Sequence, residues 1–441
     1  MGDSVEYISE ARFVATEPIN FLIMAIQGAL TTLMTIYVKE RLTQSCNCSI
    51  SYNLNGSCYD GNISDPLERR IQSETSFWSM WLSALPTFPP ILTAPFLIAA
   101  SSFIGRKPIL IIGAVCHLIA SGIFFLVALL DLPLYLTLLA AIVLGLCGDA
   151  DTVGAVSAAY ITDSSEGTSR TQRIIVLSLM SEVGWGFGQT LGGLILGYSN
   201  NFTFSFAFPT IMAAVNLVYT SFPRLVLETV PKCESFSAGT ILKKSFHSLA
   251  GFYTRFERSK RTQVIILIVI LCLHRFVSEG IFDVVVIYGL GKPFCWTAMF
   301  VGFFNASVAL VPAAVAIIVT KPLLKCFSEN WLIHFGFISF IAQLITCALA
   351  VNTIQLAFIA SALGLLRILP EPLCKNPISR LDSAEERDAA FAMLAVALST
   401  SMGLSFLFFD GQYTYTVNIG MTLVTLYLAG AILVIPILLN G

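Results

Sequence analysis

Long, nearly uncharged apolar blocks recur through this chain, and they constrain its fold more than any other feature. A helix needs roughly 20 apolar residues to cross the hydrocarbon core of a bilayer, and twelve blocks qualify. Only 12% of the 441 residues are charged, about half the fraction typical of soluble proteins. We therefore predict an all-α polytopic membrane protein with twelve transmembrane helices. The blocks centre near residues 19–38, 78–101, 108–130, 133–161, 174–198, 204–223, 264–288, 297–320, 331–351, 353–373, 389–409 and 418–439.

The positive residues indicate how these spans are oriented. If both termini are cytoplasmic, most of the 25 Lys and Arg residues lie on the cytoplasmic side, in agreement with the positive-inside rule. The first seventeen residues contain four acidic residues against Arg12 alone. That charge is wrong for a secretory signal and favours retention of the first span as a signal anchor. The exceptions are Lys39, Arg41, Arg69, Arg70 and Lys292 on the outer side, and Arg275, Arg367 and Lys375 within or at the end of spans.

The first outer loop, residues 40–74, has the composition of a lumenal segment. It contains glycosylation sequons at Asn47, Asn55 and Asn62, and a fourth sequon, at Asn201, lies in the third outer loop. Sequons are common by chance, but clustering on one predicted side favours a glycoprotein with that side outside. Disulfides persist in such a compartment. The cysteines predicted on this side are Cys46, Cys48, Cys58 and Cys295.

The spans are divided by a long basic segment, residues 228–262, which contains "FHSLAGFYTRFERSKR". Its alternating aromatic and basic residues suit an interfacial helix on the inner leaflet, and a solvated linker is the alternative. Six spans in 1–227, this inner linker, and six spans in 263–441 describe the major facilitator architecture.

A short inner loop supports that architecture. The usual signature between the second and third spans is Asp-x-x-Gly-Arg followed by Arg or Lys. Here the segment reads "SSFIGRKPIL", so Gly105, Arg106 and Lys107 fit, but Ser102 stands in place of the aspartate. The glycine suits a turn, and the basic pair suits the inner membrane surface. The missing acid predicts a weaker charge link to neighbouring helices.

Several segments together resemble one family. They are "EPINFLIMAIQGALTT" in the first span, "GLCGDADT", "AYITD" and "SRTQRI" around the fourth and fifth, "YGLGKPFCW" after the seventh, and "LPEPLCKNPISRL" with "EERDAAF" after the tenth. In this order and spacing they are similar to the solute carrier 46 family. The resemblance covers nearly the whole chain and implies a proton-coupled transporter of organic anions such as folates.

Two positions that the folate-transporting pattern uses are displaced by one helical turn. The fifth span has Ser178 where that pattern has a glutamate, and Glu182 follows four residues later on the same face. The seventh span has Ser278 in place of an expected histidine, and His274 lies one turn before it.

The remaining two positions differ from each other. Lys375 replaces an arginine expected near the inner end of the tenth span, whereas Asp163 matches an acid at the inner end of the fourth. Three of these four family positions are therefore altered. The resemblance consequently argues for an organic anion other than folate.

The resemblance also favours a disulfide between Cys58 and Cys295, which would join the two halves on the outer side. Pairing within the first outer loop is the alternative, since that loop contains three cysteines.

Two aspartates near the centre of the fourth span, in "LCGDADTVG", are costly there. An aspartate at a helix centre costs about 2.5–3.5 kcal/mol on translocon scales. Asp149 and Asp151 are about 200° apart round a helix, so they cannot share one face unless the helix is broken. We expect one to face a central cavity and the other to pair with a cation, Arg275 or Arg367. A purely structural ion pair is the alternative.

Other ionisable residues within spans are further candidates for substrate or proton handling. Glu182 lies in the glycine-rich "SEVGWGFGQ" and suits a proton carrier. His274 is either a titrating group or a packed structural histidine. Arg367, three residues before Pro370, is predicted to bind an anionic group of the substrate, with pairing to an aspartate as the alternative. Glu279 and Asp283 lie nearer the outside, and Lys375 lies at the inner surface.

These features favour a secondary transporter that imports or exports an organic anion by alternating access, with protons as the coupling ion and no other cofactor. Candidate substrates are folate-like, conjugated steroid-like or muropeptide-like. The alternatives are a non-transporting membrane sensor or scaffold of the same fold, which the loss of the motif aspartate favours, and an uncoupled facilitator. The sequence has no P-loop, nucleophile elbow or metal-ligand spacing, so we predict no enzyme and no metal site.

The partners that follow are the bilayer and a small organic anion, without nucleic acid. The sequence does not specify an oligomeric state. We expect a multi-pass protein of the plasma or endolysosomal membrane.

Overall fold

The computed structural model describes residues 15–45, 65–165, 167–230, 257–292, 294–350, 352–379, 384–418 and 424–440, with residues 239, 252 and 381. Within these ranges every regular element is helical. The α-helices are α1 (Glu17–Ser45), α2 (Asp65–Ala84), α3 (Pro90–Ile104), α4 (Arg106–Leu129), α5 (Leu136–Leu146), α6 (Asp149–Ser164), α7 (Gly167–Ser199), α8 (Phe202–Ser221), α9 (Arg258–Leu290), α10 (Ala298–Cys326), α11 (Glu329–Leu349), α12 (Ala360–Leu363), α13 (Pro370–Ser379), α14 (Ala384–Asn418), α15 (Val424–Ile432) and α16 (Val434–Asn440). A π-helix spans Ile354–Ile359.

The helices confirm the prediction of an all-α polytopic membrane protein. Each predicted span coincides with helical residues. Among the described residues, eight helical segments are long and apolar enough to cross a membrane, and two shorter apolar helices cover Pro90–Ile104 and Thr425–Leu439. The eight are Glu17–Ser45, Arg106–Leu129, Leu136–Ser164, Phe202–Ser221, Arg258–Leu290, Ala298–Cys326, Glu329–Leu349 and Ala389–Asn418.

Several predicted spans are interrupted, for identifiable reasons. The second is divided between α2 and α3 at "LPTFPP", where prolines remove backbone donors. The fourth is divided between α5 and α6, where Gly148 has a φ of 84° and Asp149 a φ of 61°. The tenth contains the π-helix and a run of turns at 364–369 before Pro370 begins α13.

The chain forms two compact units. The first unit comprises Met1–Leu33 and Phe88–Ser245, and the second unit comprises Met34–Thr87 and Phe246–Gly441. Helices α3 to α8 therefore belong to the first unit, α2 and α9 to α16 belong to the second, and α1 contributes to both. The division of the sequence into halves at 1–227 and 263–441 around the linker 228–262 stays a prediction.

Each unit has its own packed interior. In the first unit, α4 and α8 pack side by side, with the rings of Phe124 and Phe206 stacked 5.7 Å apart. In the second, Ser405 on α14 accepts a hydrogen bond from the backbone N–H of Gly280 on α9 at 2.8 Å. A Cβ at Gly280 would collide with α14, so the glycine allows these two helices to approach closely.

Candidate functional site

In the first unit, the break in the fourth span places Asp149 at the start of α6. Nε2 of Gln27 donates to its carboxylate and lies 3.3 Å from Nε2 of His117. His117 is buried, and its Nδ1 donates to the carbonyl of Gly113 at 2.8 Å. Because Nδ1 carries the proton, Nε2 accepts from Gln27 and the imidazole is neutral. The result is a chain of polar groups that ends on Asp149.

Asp151 is exposed, whereas Asp149 is half-buried. The prediction that the two aspartates take different roles stays a prediction. Nearly two turns beyond Asp151 on α6, the hydroxyl of Ser157 donates to Oδ1 of Asn20 at 3.2 Å. Nδ2 of Asn20 donates to Ser181 at 3.3 Å, so this network joins α6, α1 and α7.

A disulfide that the sequence analysis did not predict lies beside the break. It joins Cys116 on α4 to Cys147, two residues before Asp149, with the two Cα atoms 6.3 Å apart. We expected disulfides in the outer loops, because the outer compartment favours them. The bond fixes the residue that precedes the left-handed Gly148 to a neighbouring helix.

Glu182 is exposed on α7, and Ser178 is exposed one turn before it on the same face, as predicted. The opposite face of α7 packs against α1. A Cβ at Gly184 or Gly188 would collide with the backbone of α1. The glycine-rich segment is thus a close helix contact, and Glu182 points away from it.

The motif loop is held by two carboxylates. Nε of Arg106 lies 2.9 Å from Oδ2 of Asp163. The backbone N–H groups of Arg106 and Lys107 donate to the carboxylate of Glu228 at 2.8 and 3.1 Å. Gly105 has a φ of 111°, and a Cβ there would collide with Glu228.

These contacts replace the acid that Ser102 does not provide. Glu228 lies at the N-terminus of α4, where unpaired N–H groups and the helix dipole favour an anion. The loop therefore keeps a charge link through Asp163 and Glu228, although Ser102 stands in place of the motif aspartate. Glu228 was not among the predicted site residues because it is far from the motif in sequence.

A buried ion pair lies near the start of α1 and α7. Nε and Nη2 of Arg173 contact the two carboxylate oxygens of Glu17 at 2.9 and 3.3 Å. Nη1 donates to the hydroxyls of Ser164 and Ser165. The side chains of Arg173 and Glu17 are 6% and 2% exposed. The sequence offered no signal for this pair, because a charge at the edge of a span usually only sets topology.

In the second unit, Arg367 lies in the turn between α12 and α13. Its side chain is buried, with Nη2 donating to the carbonyl of Val308 at 2.6 Å. Its Cζ lies 4.3 Å from the ring centroid of Phe282, which is cation–π distance. The carbonyl of Arg367 accepts a hydrogen bond from Nε2 of His274 at 2.8 Å. His274 and Arg367, both predicted site residues, are therefore in direct contact.

Three further predicted residues form ion pairs along their own helices. Nε of Arg275 lies 3.1 Å from Oε1 of Glu279 on α9. Nζ of Lys375 lies 2.6 Å from Oε1 of Glu371 on α13. Both pairs are about one-third exposed. The predicted pairing of a fourth-span aspartate with Arg275 or Arg367 joins residues of different units and stays a prediction.

The outer-side predictions fall partly on residues that the structure describes. Cys295 is disulfide-bonded, but Cys58 lies outside the described residues, so that pairing stays a prediction. Asn201 is exposed and caps α8 by accepting from the N–H of Thr203 at 2.8 Å. The sequons at Asn47, Asn55 and Asn62 also lie outside the described residues.

One buried acid was missed entirely. Asp410 on α14 is fully buried, one residue beyond the predicted end of the eleventh span. Asp283 on α9, which the sequence placed near the outside, accepts a hydrogen bond from the hydroxyl of Ser83 at 2.7 Å. A longer estimate of the eleventh span, continuing through "FFDGQYTYTV", would have found Asp410.

Known proteins resemble this chain along nearly all of its length. It is 25% identical over 419 residues to the lysosomal proton-coupled steroid conjugate and bile acid symporter SLC46A3 of Gallus gallus, covering 92% of this chain and 89% of that protein. It is also 25% identical over 435 residues to the proton-coupled folate transporter of Bos taurus, covering 96% and 91%. These relatives confirm the predicted resemblance to the solute carrier 46 family.

Solved structures and a family model agree on the architecture. The crystal structure of the human organic anion transporter MFSD10 (TETRAN) matches with a TM-score of 0.68 at 13% identity, covering 98% of this chain and 99% of that chain. The likeness shows a common fold. The model of the Major Facilitator Superfamily matches residues 19–366, and the chain therefore belongs to that superfamily.

Proposed function

We propose that this protein is a secondary active transporter that moves an organic anion by alternating access, driven by protons. The observation that carries the proposal is a pair of interrupted spans, the fourth and the tenth. In the predicted division into two six-span halves these spans occupy corresponding positions, and each is broken at a charged residue, Asp149 and Arg367. Interrupted spans in corresponding positions are the best sequence-level indication of a transporter binding site.

The charges at these breaks suit an anionic substrate and a proton. Arg367 and Arg275 provide positive charge in the second unit, and Arg275 is the more accessible, with 29% of its side chain exposed. Asp149, Asp151 and Glu182 are the acids proposed to respond to protons in the first unit. Ionisable groups within spans are rare because they are costly, so their presence favours a transport role over a scaffold.

Other predicted residues take supporting roles in this proposal. Asp163, Gly105, Arg106 and Lys107 form the ion-paired inner loop, which suits a conformational latch. Lys375 pairs with Glu371, so we assign it to the inner end of its helix rather than to the substrate.

The relatives support a class of substrate. Their names describe proton-coupled transport of folates and of steroid conjugates and bile acids. Three of the four family positions used for folate are altered here, at Ser178, Ser278 and Lys375. We therefore rank conjugated steroids first, and folates and muropeptides after them. We further propose an endolysosomal or plasma membrane location, both termini in the cytoplasm, and a glycosylated outer loop.

Uptake into proteoliposomes tests the proposal. Purified protein is reconstituted, and entry of a radiolabelled steroid sulfate, a folate and a muropeptide is measured at acidic and neutral external pH, with and without a protonophore. We expect uptake of at least one anion, faster at acidic pH and reduced by the protonophore. Asp149→Asn should slow it, whereas the matched substitution Asp131→Asn, at an exposed loop position, should not.

The alternative functions give different results. Uptake that ignores the proton gradient would identify an uncoupled facilitator. No uptake of any probe by correctly folded protein would contradict transport of these anions and favour the sensor or scaffold.

A further inference from the structure

Asp410 is a fully buried carboxylic acid near the end of a membrane-spanning helix. It is 0% exposed, and neither carboxyl oxygen has a hydrogen-bond partner among the described residues. A charged carboxylate in such surroundings is unfavourable by several kcal/mol unless it is paired. Its environment therefore favours the neutral, protonated form.

Two helices of the second unit, α2 and α9, pack against α14 around this residue. On α2, the hydroxyl of Ser76 donates to the backbone carbonyl of Asp410 at 2.8 Å. On α9, one turn beyond the close contact of Gly280 with α14, Asp283 accepts the hydrogen bond from Ser83 of α2. Ser76 and Ser83 are seven residues apart and therefore share one face of α2.

A second buried group on that face points to a ligand. The hydroxyl of Ser79, which is 3% exposed, lies between Ser76 and Ser83 and has no hydrogen-bond partner among the described residues. The hydroxyl of Tyr413, one turn beyond Asp410, is also buried without a described partner. Buried polar atoms without a described hydrogen-bond partner thus lie on both α2 and α14. They indicate a site for a small ligand such as a proton or hydronium.

Asp283 and Asp410 influence each other electrostatically, and Glu279 in turn acts on Asp283. Glu279 is itself paired with Arg275. Two carboxyls that interact in a buried site do not both ionise at neutral pH. The titratable and charged groups on the facing stretches are Glu68, Arg69, Arg70 and Glu74 of α2, His274, Arg275, Glu279 and Tyr288 of α9, Tyr413 and Tyr415 of α14, and Tyr427 of α15.

We infer that Asp283 and Asp410 form a second proton-binding site, which carries the coupling proton in the second unit. This inference rests on the proposed function and deepens it. Asp283 accepts a hydrogen bond from Ser83, whereas neither carboxyl oxygen of Asp410 has a described partner, so we assign the proton to Asp410. Loading forms one O–H bond on a carboxylate oxygen, release breaks it, and the proton comes from and returns to water.

Infrared difference spectroscopy tests the proton site without any substrate. The C=O stretch of a neutral carboxyl is recorded for purified protein in nanodiscs, at neutral pH. Asp410→Asn should lose intensity in this band, and Asp131→Asn, the exposed matched control, should not. Folding of each variant is checked by circular dichroism. If Asp410→Asn does not fold, Asp283→Asn provides the test. Removing the neighbouring charge should make Asp410 easier to deprotonate, so its neutral-carboxyl band should disappear at a lower pH than in wild type.

Two spectroscopic outcomes would overturn the inference. One is a neutral-carboxyl band that is the same in wild type and in both aspartate variants. The other is loss of the wild-type band on addition of sodium chloride but not of choline chloride, which would assign the site to Na⁺.

Transport separates this inference from the proposed function. If one proton moves with each singly charged anion, a pH difference of one unit across the membrane supports an anion concentration about tenfold higher on one side. Asp410→Asn should lose this accumulation but retain substrate exchange across the membrane without a gradient, since exchange requires no net proton movement. If Asp410→Asn still accumulates substrate fully, the proton site is contradicted but the proposed transport function is not. If wild type shows neither exchange nor uptake, the proposed transport function is contradicted, and the infrared experiment still tests the proton site independently.

Discussion

Replacing Arg173 by methionine tests the buried ion pair of the first unit. The pair has two N–O contacts, at 2.9 and 3.3 Å, and both side chains are almost inaccessible. Methionine keeps an unbranched apolar stem of similar length. Among the described residues, it leaves the Glu17 carboxylate with the backbone N–H groups of Ala15 and Thr16, each at 3.0 Å. Removal of one member of a buried pair costs about 3–5 kcal/mol, and we expect Arg173→Met to lower the free energy of unfolding by that amount.

The second half of the experiment is the double variant Glu17→Gln with Arg173→Met. It removes both charges, so the uncompensated carboxylate disappears and part of the lost stability should return. The coupling energy of such contacting groups is about 0.5–3 kcal/mol. Equilibrium unfolding of purified protein in mixed detergent micelles measures all members of the cycle.

A matched control separates burial from charge. Arg70→Met breaks the pair with Glu74, whose two side chains are 72% and 41% exposed, and exposed pairs contribute less than about 1 kcal/mol. The reasoning is refuted if Arg173→Met costs no more than Arg70→Met. It is also refuted if the loss of unfolding free energy in the double variant equals the sum of the losses in the two single variants.

Three further predictions test other parts of the structure. Gly105→Ala should lower the free energy of unfolding by about 1–3 kcal/mol, because a φ of 111° is strained for any residue other than glycine. Gly122→Ala should instead stabilise α4 by about 0.5–1 kcal/mol, since an added Cβ there meets no atom within 4 Å, and the melting temperature in detergent reports both effects. Arg367→Lys should reduce anion uptake, since a lysine has no planar guanidinium to stack on an aromatic ring, and unchanged uptake would exclude Arg367 from the proposed site. Cys116 and Cys147 should resist alkylation by a maleimide until a reductant is added, and labelling of either in unreduced, unfolded protein would contradict the disulfide.

The sequence predicted the fold well because a bilayer makes strong local demands. A span needs a long apolar block wherever it is placed, so the blocks can be read without knowing any tertiary contact. Helix geometry also places Asp149 and Asp151 on different faces of an unbroken helix without further information.

Contacts between distant residues were not predictable in the same way. Glu17 and Arg173 are 156 residues apart, and Arg106 and Glu228 are 122 apart. Nothing in either local segment specifies its partner. Asp410 was missed for a simpler reason, since hydropathy locates the end of a span only to within a few residues, and that uncertainty decides whether an acid is counted as buried.

The broken spans explain why some ionisable residues occupy apolar surroundings. Breaking a helix in a bilayer leaves backbone groups that water does not reach, so other polar groups must bind them. At the tenth span, Nε2–H of His274 binds the carbonyl of Arg367, and the hydroxyl of Ser339 accepts from the N–H of Leu366 at 3.2 Å. His274 thus has a structural task at the break, which commits one ring nitrogen to donating. If His274 takes part in proton transfer, it must do so through the other ring nitrogen, Nδ1, or by releasing the Arg367 carbonyl. Release of that carbonyl would couple protonation of His274 to the conformation of the tenth span.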